Sequence, residues 1–287
     1  MTQMTSAARE QFLGVLGSVD RHYDDEFGAN RLLDTFRVFS DSYTGGPVLE
    51  IGSWPGDFAV CLKRLGFDIS GVDIDPTRAA DRFARERIRV ERCDVERDAL
   101  PFSDQSFEYI FLTEVIEHLY ANPFHALAEL RRVLRPGGRM LVSTPNLTRW
   151  ENRILFALGR PLIFLDSPHE AFTTKAAVGH MGHLRLFSPP ELRVMLTETG
   201  FRIVNEQFVD LERPAAPLSG RPMALPPSQG RRLAARLFRR RVAADYAEAI
   251  GIRVGPLLKR QIPALRGHVF LLVERNGEDA TTGPSQE

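Results

Sequence analysis

Short apolar runs alternate with helix-length stretches across the middle of the chain, and this alternation limits the fold more than any other feature. Five runs have the length and composition of buried strands, at 48–51, 68–72, 89–93, 109–113 and 139–143. Stretches around 58–65, 77–85 and 124–134 are long enough for crossover helices. Strands that alternate with helices form a parallel sheet covered by helices on both faces. We therefore predict an α/β protein with a doubly wound sheet.

The flanking regions predict further elements. Residues 7–43 carry apolar side chains at helical spacing, which indicates an N-terminal helical segment over 1–45. The run Ser188-Pro189-Pro190-Glu191 has the pattern of a helix start with a capping box. Apolar runs at 201–208 and 268–274 predict two late strands. We expect the sheet domain to cover 46–210 and 267–276, with a lid-like insert at 144–187, a basic helical insert at 211–266 and a disordered tail at 277–287.

Composition narrows the class of protein. The chain of 287 residues has 37 basic and 37 acidic side chains, so its overall charge does not favour nucleic-acid binding by the surface as a whole, and we expect no nucleic-acid partner. No apolar run reaches the ~20 residues of a membrane span. The first ten residues lack a secretory signal pattern. Cys61 and Cys93 are then expected to be free thiols in a cytoplasmic protein.

The first predicted strand ends in a glycine turn, Glu50-Ile51-Gly52-Ser53-Trp54-Pro55-Gly56, and a predicted helix follows. Glycine lets the backbone approach a ligand, and the helix start offers N–H groups without partners. Many α/β proteins contain such a turn for purely structural reasons. Asp73 ends the second predicted strand, where a carboxylate can accept both hydroxyl protons of a ribose. The two features together predict a nucleotide-like ligand, although Asp73 could also serve only as a helix cap.

Six ordered blocks of sequence extend this pattern. They are Glu50-Ile51-Gly52 with Gly56, Gly71-Val72-Asp73-Ile74, Asp94 ahead of Leu100-Pro101-Phe102, Ser106-Phe107-Glu108-Tyr109-Ile110, Glu114-Val115-Ile116-Glu117-His118-Leu119, and Leu134-Arg135-Pro136-Gly137-Gly138. Their order resembles class I S-adenosylmethionine-dependent methyltransferases, especially ubiquinone-pathway, sugar and natural-product O-methyltransferases. The resemblance covers 47–146 and, more weakly, 184–208. It implies a Rossmann-like, mostly parallel sheet with an antiparallel last strand, and S-adenosylmethionine as cofactor.

The resemblance also implies which residues bind the cofactor. Glu50 and Gly52 would line its methionine end, and Asp73 would hold the ribose hydroxyls. Asp94 would accept from the adenine amino group. The full set implied in this way is Glu50, Gly52, Ser53, Trp54, Gly56, Asp73, Ile74, Asp94, Val95, Thr113 and Glu114.

One residue departs from the family pattern. The family commonly has Gly-x-Gly-x-Gly in this turn, and Trp54 occupies the position of the central glycine. A side chain there would crowd the ligand or strain the turn, so Trp54 must either point away from the cofactor or cover it. The competing Gly-x-Gly-x-x-Gly pattern of NAD-dependent dehydrogenases is not met by this turn.

Transfer of a methyl group to a hydroxyl needs positioning and a base. His118, directly after the fourth strand, and His183, in the lid-like insert, are the candidate bases, and Asn146 is a candidate to orient the acceptor. Each has a structural alternative: His118 could brace its loop, and a loop histidine such as His183 is more often solvated. The spacing of acidic residues and histidines indicates no metal site, so we expect none.

The segment from Arg231 to Arg241 alternates arginine with aliphatic residues. Such a helix could contact an anionic membrane or an acidic substrate, or it could be a solvated face or a homodimer contact. Two functions remain open. One is methyl transfer to a small-molecule acceptor, such as a hydroxyl of a sugar, a natural product, a quinone precursor or a lipid-linked glycan. The other is a non-catalytic or repurposed S-adenosylmethionine-fold binding protein.

Overall fold

The computed structural model describes residues 4–22, 26–160, 162, 169, 182–183, 185–211 and 262–277. Its strands are β1 Val48–Ile51, β2 Ile69–Asp73, β3 Arg89–Arg92, β4 Phe107–Thr113, β5 Leu134–Pro145, β6 Phe201–Val209 and β7 His268–Arg275. Its helices are α1 Ser6–Ser18, α2 Glu26–Ser42, α3 Asp57–Arg64, α4 Ala80–Arg85, α5 Pro123–Val133, α6 Trp150–Ala157 and α7 Pro189–Glu198.

The seven strands form one sheet in the order β3-β2-β1-β4-β5-β7-β6. Neighbours among β1 to β5 are parallel, whereas β7 runs antiparallel to both β5 and β6. The Rossmann-like fold with an antiparallel last strand is therefore confirmed. Strand order reverses between β1 and β4, and a doubly wound sheet binds ligands at the carboxyl ends of the strands beside such a reversal. The glycine turn that follows β1 lies at this point.

Two apolar layers cover the sheet. Successive residues of β4 alternate between them, with Ile110 in one layer and Tyr109 and Phe111 in the other. Helices α5 and α7 complete the first layer, and α1, α2 and α3 complete the second. The Phe12 and Phe36 rings of α1 and α2 stack at 4.2 Å, which holds these helices together against the sheet. The N-terminal helices thus supply one face of the core that supports the ligand end of β1.

Among the boundaries that differ from the sequence prediction, two affect how the elements are divided. The predicted N-terminal helical segment comprises two helices, because α1 ends at Ser18 and α2 begins at Glu26. Strand β5 begins at Leu134, five residues before the predicted start at 139. Between Phe107 and Tyr109 its pairing shifts from Leu134 to Arg139, so the Arg-Pro-Gly-Gly run forms a bulge within the strand. Gly137 has φ +76° in this bulge, a conformation that glycine permits.

Several expectations concern other parts of the chain. Three parts of the chain lie outside the described residues: 212–261, which include Arg231 and Arg241, the tail at 277–287 beyond its first residue, and 161, 163–168, 170–181 and 184 within the insert at 144–187. Within the described ranges, none of the helices combines the length and the apolar character that crossing a bilayer would demand.

Candidate cofactor and acceptor site

The turn after β1 requires glycine at both of its ends. Gly52 has φ +70°, and a Cβ there would lie 2.8 Å from Cγ2 of Val115. Gly56 has φ +89°, and a Cβ there would lie 2.7 Å from the Phe83 ring. Other residues rarely adopt this left-handed conformation, so side chains are excluded by backbone and space together. The hydroxyl of Ser53 donates to the Glu50 carbonyl at 3.0 Å and closes the turn.

Glu50 places a buried carboxyl beneath this turn. The residue is 7% exposed, and within the part of the chain that the structure describes its Oε2 has no hydrogen-bond partner. Burial raises the pKa of Glu50 to about 8, and the nearby carboxylates of Asp57 and Asp73 act in the same direction. A buried acceptor without a partner is costly unless a donor completes it. The ammonium group of a bound amino acid would supply that donor, so Glu50 fits the methionine end of S-adenosylmethionine.

Asp73 ends β2 beside the turn and is 6% exposed. Its two oxygens accept the backbone N–H groups of Trp54 at 2.8 Å and Asp75 at 2.9 Å. An ionised carboxylate has about four lone-pair sites, so two remain to accept ribose hydroxyls. Ile74, the next residue, is 38% exposed and offers an apolar surface at the same edge. Both residues thus lie at the carboxyl end of β2, and their contacts with the ribose and the adenine stay predictions.

Trp54 is held by residues outside the turn. The Arg78 guanidinium lies 3.6 Å from the centre of the indole, and the His22 ring centroid is 4.7 Å away. The backbone N–H of Trp54, and not its ring, bonds to Asp73. The indole is thus packed against Arg78 and His22, which accommodates the large side chain at a position where the family commonly has glycine.

Arg82 braces the turn, and no sequence pattern indicated this role. Its guanidinium donates to the Pro55 carbonyl at 2.8 Å and to the Asp57 carboxylate at 2.7 Å. The same carboxylate accepts the backbone N–H of His22 at 3.0 Å. This salt bridge is largely buried and ties the N-terminal segment, the turn and α4 together.

The loop after β3 forms another edge of the site. Val95 is buried and Asp94 is half-buried, with the Asp94 carboxylate accepting the backbone N–H of Glu96 at 3.2 Å. Glu96, which the sequence analysis did not single out, accepts the N–H groups of Ala121 and Asn122 at 2.7 and 2.9 Å. The loop is therefore fixed to the start of α5, so Asp94 stands on a supported backbone.

Glu114, which follows Thr113 at the end of β4, has φ +57°. Its carboxylate accepts the Ser143 hydroxyl at 2.8 Å and lies 3.4 Å from Nε2 of the buried His268. Burial alone would raise the pKa of Glu114, but His268 and Ser143 hold it well below its ordinary value. No sequence signal marked His268, because it lies far along the chain and becomes a neighbour only through the pairing of β7 with β5.

Glu117 and two histidines meet beyond Glu114. Glu117 is 2% exposed, and its Oε2 accepts the Thr144 hydroxyl at 2.9 Å. Nε2 of His183 lies 3.9 Å from its Oε1, and the rings of His118 and His183 have centroids 4.7 Å apart. Burial and the neighbouring Glu114 raise the pKa of Glu117. The structure thus brings together both histidines that the sequence analysis selected, with a glutamate beside them.

The side chain of Asn146 is buried and forms hydrogen bonds within the fold. It is 0% exposed, and its amide nitrogen donates to the carbonyls of Ala264 and Arg266, each at 2.9 Å. Its side-chain oxygen accepts the N–H and the hydroxyl of Thr148, both at 2.9 Å. All of its polar atoms are used within the fold, so Asn146 braces the end of β5, and we remove it from the candidates that contact an acceptor.

Solved structures share this architecture. An S-adenosylmethionine-dependent methyltransferase from Archaeoglobus fulgidus aligns with TM-score 0.53 and 17% identity over 88% of this chain and 98% of its own. One from Mesorhizobium loti aligns with TM-score 0.52 and 16% identity over 87% of this chain and 100% of its own. The [4+2]-cyclase SpnF aligns with TM-score 0.51 and 20% identity over 87% of this chain and 82% of its own. At these identities the likeness establishes the fold.

Sequence relatives identify the family. A probable S-adenosylmethionine-dependent methyltransferase of Mycolicibacterium smegmatis is 33% identical over 162 residues, which are 55% of this chain and 53% of the relative. A similar protein of Mycobacterium tuberculosis is 33% identical over 161 residues, 55% of this chain and 49% of the relative. The chain thus spans about half the length of these curated relatives. A methyltransferase-domain family model matches residues 22–206. The chain therefore belongs to the class I S-adenosylmethionine-dependent methyltransferases, whose cofactor fits the residues of this site.

Proposed function

We propose that the protein transfers a methyl group from S-adenosylmethionine to a hydroxyl of a small molecule, such as a sugar, a natural product, a quinone precursor or a lipid-linked glycan. One observation carries the proposal. The buried Glu50 oxygen without a partner among the described residues, the left-handed backbone of Gly52 and the Asp73 carboxylate all lie at the carboxyl ends of β1 and β2, which supports a cofactor site there. The polar cluster of Glu117, His118 and His183 follows β4, next to β1 in the sheet.

The bound cofactor would supply an electrophilic methyl group, and the protein would position the acceptor and help remove its proton. His118 and His183 are the candidates to take that proton. Imidazole titrates near neutral pH, which suits a general base. Glu117, with Oε1 3.9 Å from Nε2 of His183, would orient that ring. Thr113 and Glu114 would border the amino acid part of the cofactor.

A second function has two supporting observations. Trp54 replaces a glycine at the cofactor turn, and the same fold occurs in a [4+2]-cyclase. A protein with this fold could therefore bind the cofactor without transferring its methyl group. The two functions predict different products, because only the first converts S-adenosylmethionine to S-adenosylhomocysteine.

Two experiments test the proposal in sequence. Calorimetry with S-adenosylmethionine and S-adenosylhomocysteine should detect binding of both below millimolar concentration, and no binding of either would rule out the first function. Incubation with isotopically labelled S-adenosylmethionine and a panel of hydroxylated sugars, phenols and lipid-linked glycans should then label an acceptor. Binding without any label transfer to the panel would favour the second function.

We further propose a cytoplasmic location and no nucleic-acid partner. The location is supported by Cys61 and Cys93, which are both free and buried.

The segment from Arg231 to Arg241 remains a candidate contact for a membrane, an acidic substrate or a second copy of the chain. Sedimentation with anionic vesicles and light scattering distinguish these roles. The division into an N-terminal helical segment, a sheet domain and two inserts is likewise a proposal.

A further inference from the structure

Glu117, His118 and His183 form a cluster of potential metal ligands. The first two belong to the 3-10 turn at Ile116–His118, and His183 comes from the far end of the insert after β5. One ligand atom from each of the three residues lies within 4.8 Å of the other two. The turn immediately follows Val115, whose side chain faces Gly52 of the cofactor turn. The cluster therefore lies beside the methyl-transfer site.

The two oxygens of the Glu117 carboxylate have different surroundings. Its Oε2 is fixed by the Thr144 hydroxyl at 2.9 Å, whereas its Oε1 is buried and has no hydrogen-bond partner among the described residues. A carboxylate anchored through one oxygen by an outer hydrogen bond is the usual arrangement of a metal ligand. Nε2 of His183 lies 3.9 Å from the unpartnered oxygen, too far for a hydrogen bond.

The distances between the ligand atoms of these three residues are compatible with a metal ion bound among them. Metal–ligand bonds of ~2.1 Å in a tetrahedral site place two ligand atoms roughly 3.4 Å apart. The 3.9 Å between Oε1 of Glu117 and Nε2 of His183 is close to this value. Since the ligand atoms of the three residues all lie within 4.8 Å of one another, small side-chain rotations would bring them to the separation that a metal ion requires. Two imidazoles and one carboxylate are a donor set for Zn²⁺, Fe²⁺ or Co²⁺, whereas Mg²⁺ and Ca²⁺ prefer oxygen alone.

We propose that Glu117, His118 and His183 bind one divalent transition-metal ion, represented by Zn²⁺, at the acceptor side of the site. Three protein ligands leave a coordination position open, as in catalytic zinc sites. On the proposed function, the ion takes the acceptor hydroxyl at that position and lowers its pKa, so the proton leaves to solvent water. The two histidines then act as ligands, and neither has to remove the proton itself. We thereby propose a metal ion where residue spacing predicted none.

The test is calorimetric titration of Zn²⁺ into tag-free, chelator-treated protein. We expect one site per chain, with at least tenfold weaker binding in Glu117→Gln and in His183→Ala. His125→Ala is the matched control, because it removes an imidazole from α5 outside the cluster, and its affinity should equal that of wild type. Mg²⁺ should give no comparable binding. Co²⁺ should add visible absorption bands in wild type that both cluster variants lack.

S-adenosylmethionine binding is measured on the same preparations. It reports whether each variant is folded, and it separates this proposal from the proposed function. Wild type that binds S-adenosylmethionine but no stoichiometric Zn²⁺ would overturn the metal site alone. Zn²⁺ binding that persists undiminished in both cluster variants would also overturn it, because the ion would then lie elsewhere. If Glu117→Gln does not fold, His183→Ala decides, since the His183 side chain is 25% exposed and less important to the core.

Discussion

At the scale of single residues, Asp73 links the cofactor turn to β2 through two short hydrogen bonds from backbone N–H groups. Asp73→Ala should weaken S-adenosylmethionine binding at least tenfold, about 1.4 kcal/mol, because the ribose would lose a charged acceptor and the turn would lose its anchor. Calorimetry measures the change. Asp81→Ala, which removes an exposed carboxylate from nearby α4, is the control and should bind normally. Unchanged affinity of Asp73→Ala would remove Asp73 from the ribose role.

Glu50 should make the stability of the cofactor-free protein depend on pH. Its pKa is about 8 in the folded chain against an ordinary 4.5, so between these values the folded state binds more protons than the unfolded state. Stability then falls as pH rises through this window, by a few kcal/mol at most. Glu50→Gln cannot ionise and should lose less stability. Denaturant titrations of both proteins at pH 5.5 and 8 measure the difference, and parallel losses would contradict the buried, protonated Glu50.

At the scale of elements, the turn after β1 can be tested with a glycine series. Gly66→Ala should cost only the ~1–2 kcal/mol of a left-handed backbone, since no described atom beyond its chain neighbours lies within 4 Å of the added Cβ. Gly52→Ala should cost more, because its Cβ would also displace Val115. Gly14→Ala, within α1 and with open space, should be neutral or stabilising. Urea unfolding ranks the variants. Equal stability of Gly52→Ala and Gly66→Ala would mean that the turn relaxes around the methyl group.

The sequence predicted the helices and strands better than it predicted which distant residues lie close together in space. Residues 48–51 form β1 as expected, because a short apolar run between a glycine-proline stop and a glycine turn allows few alternatives. The Ser188–Glu191 capping box is also present, since its two bonds are local. The proximity of Glu114 to His268 and of Glu117 to His183 was not predictable, because it depends on strand pairing and on the insert. Asn146 was misjudged because its partners lie about 120 residues away.

At the scale of the whole molecule, the strands of the sheet pair with one another without help from the second insert. β6 and β7 are antiparallel neighbours that pair from Phe201–Arg275 to Val209–His268, so the chain leaves and re-enters the sheet at adjacent positions. Leu211 is buried, and its carbonyl accepts the side chain of Asn30 at 3.1 Å. On the return side, Asn146 holds the turn at Pro263–Leu265. Both ends of the insert are therefore fixed to the core by contacts that do not involve residues 212–261.

This arrangement predicts that residues 212–261 can be replaced by a short Gly-Ser linker. Antiparallel neighbours are commonly joined by short loops, and shortening a loop lowers its closure entropy cost. The shortened protein should fold and bind S-adenosylmethionine within about threefold of wild type, because the cofactor residues all lie between β1 and β5. If the insert contributes to acceptor binding, methyl transfer should fall while cofactor affinity stays. Thermal unfolding and calorimetry measure the two properties. A shortened chain that fails to fold would show that the insert is part of the core, and the proposed domain division would then be wrong.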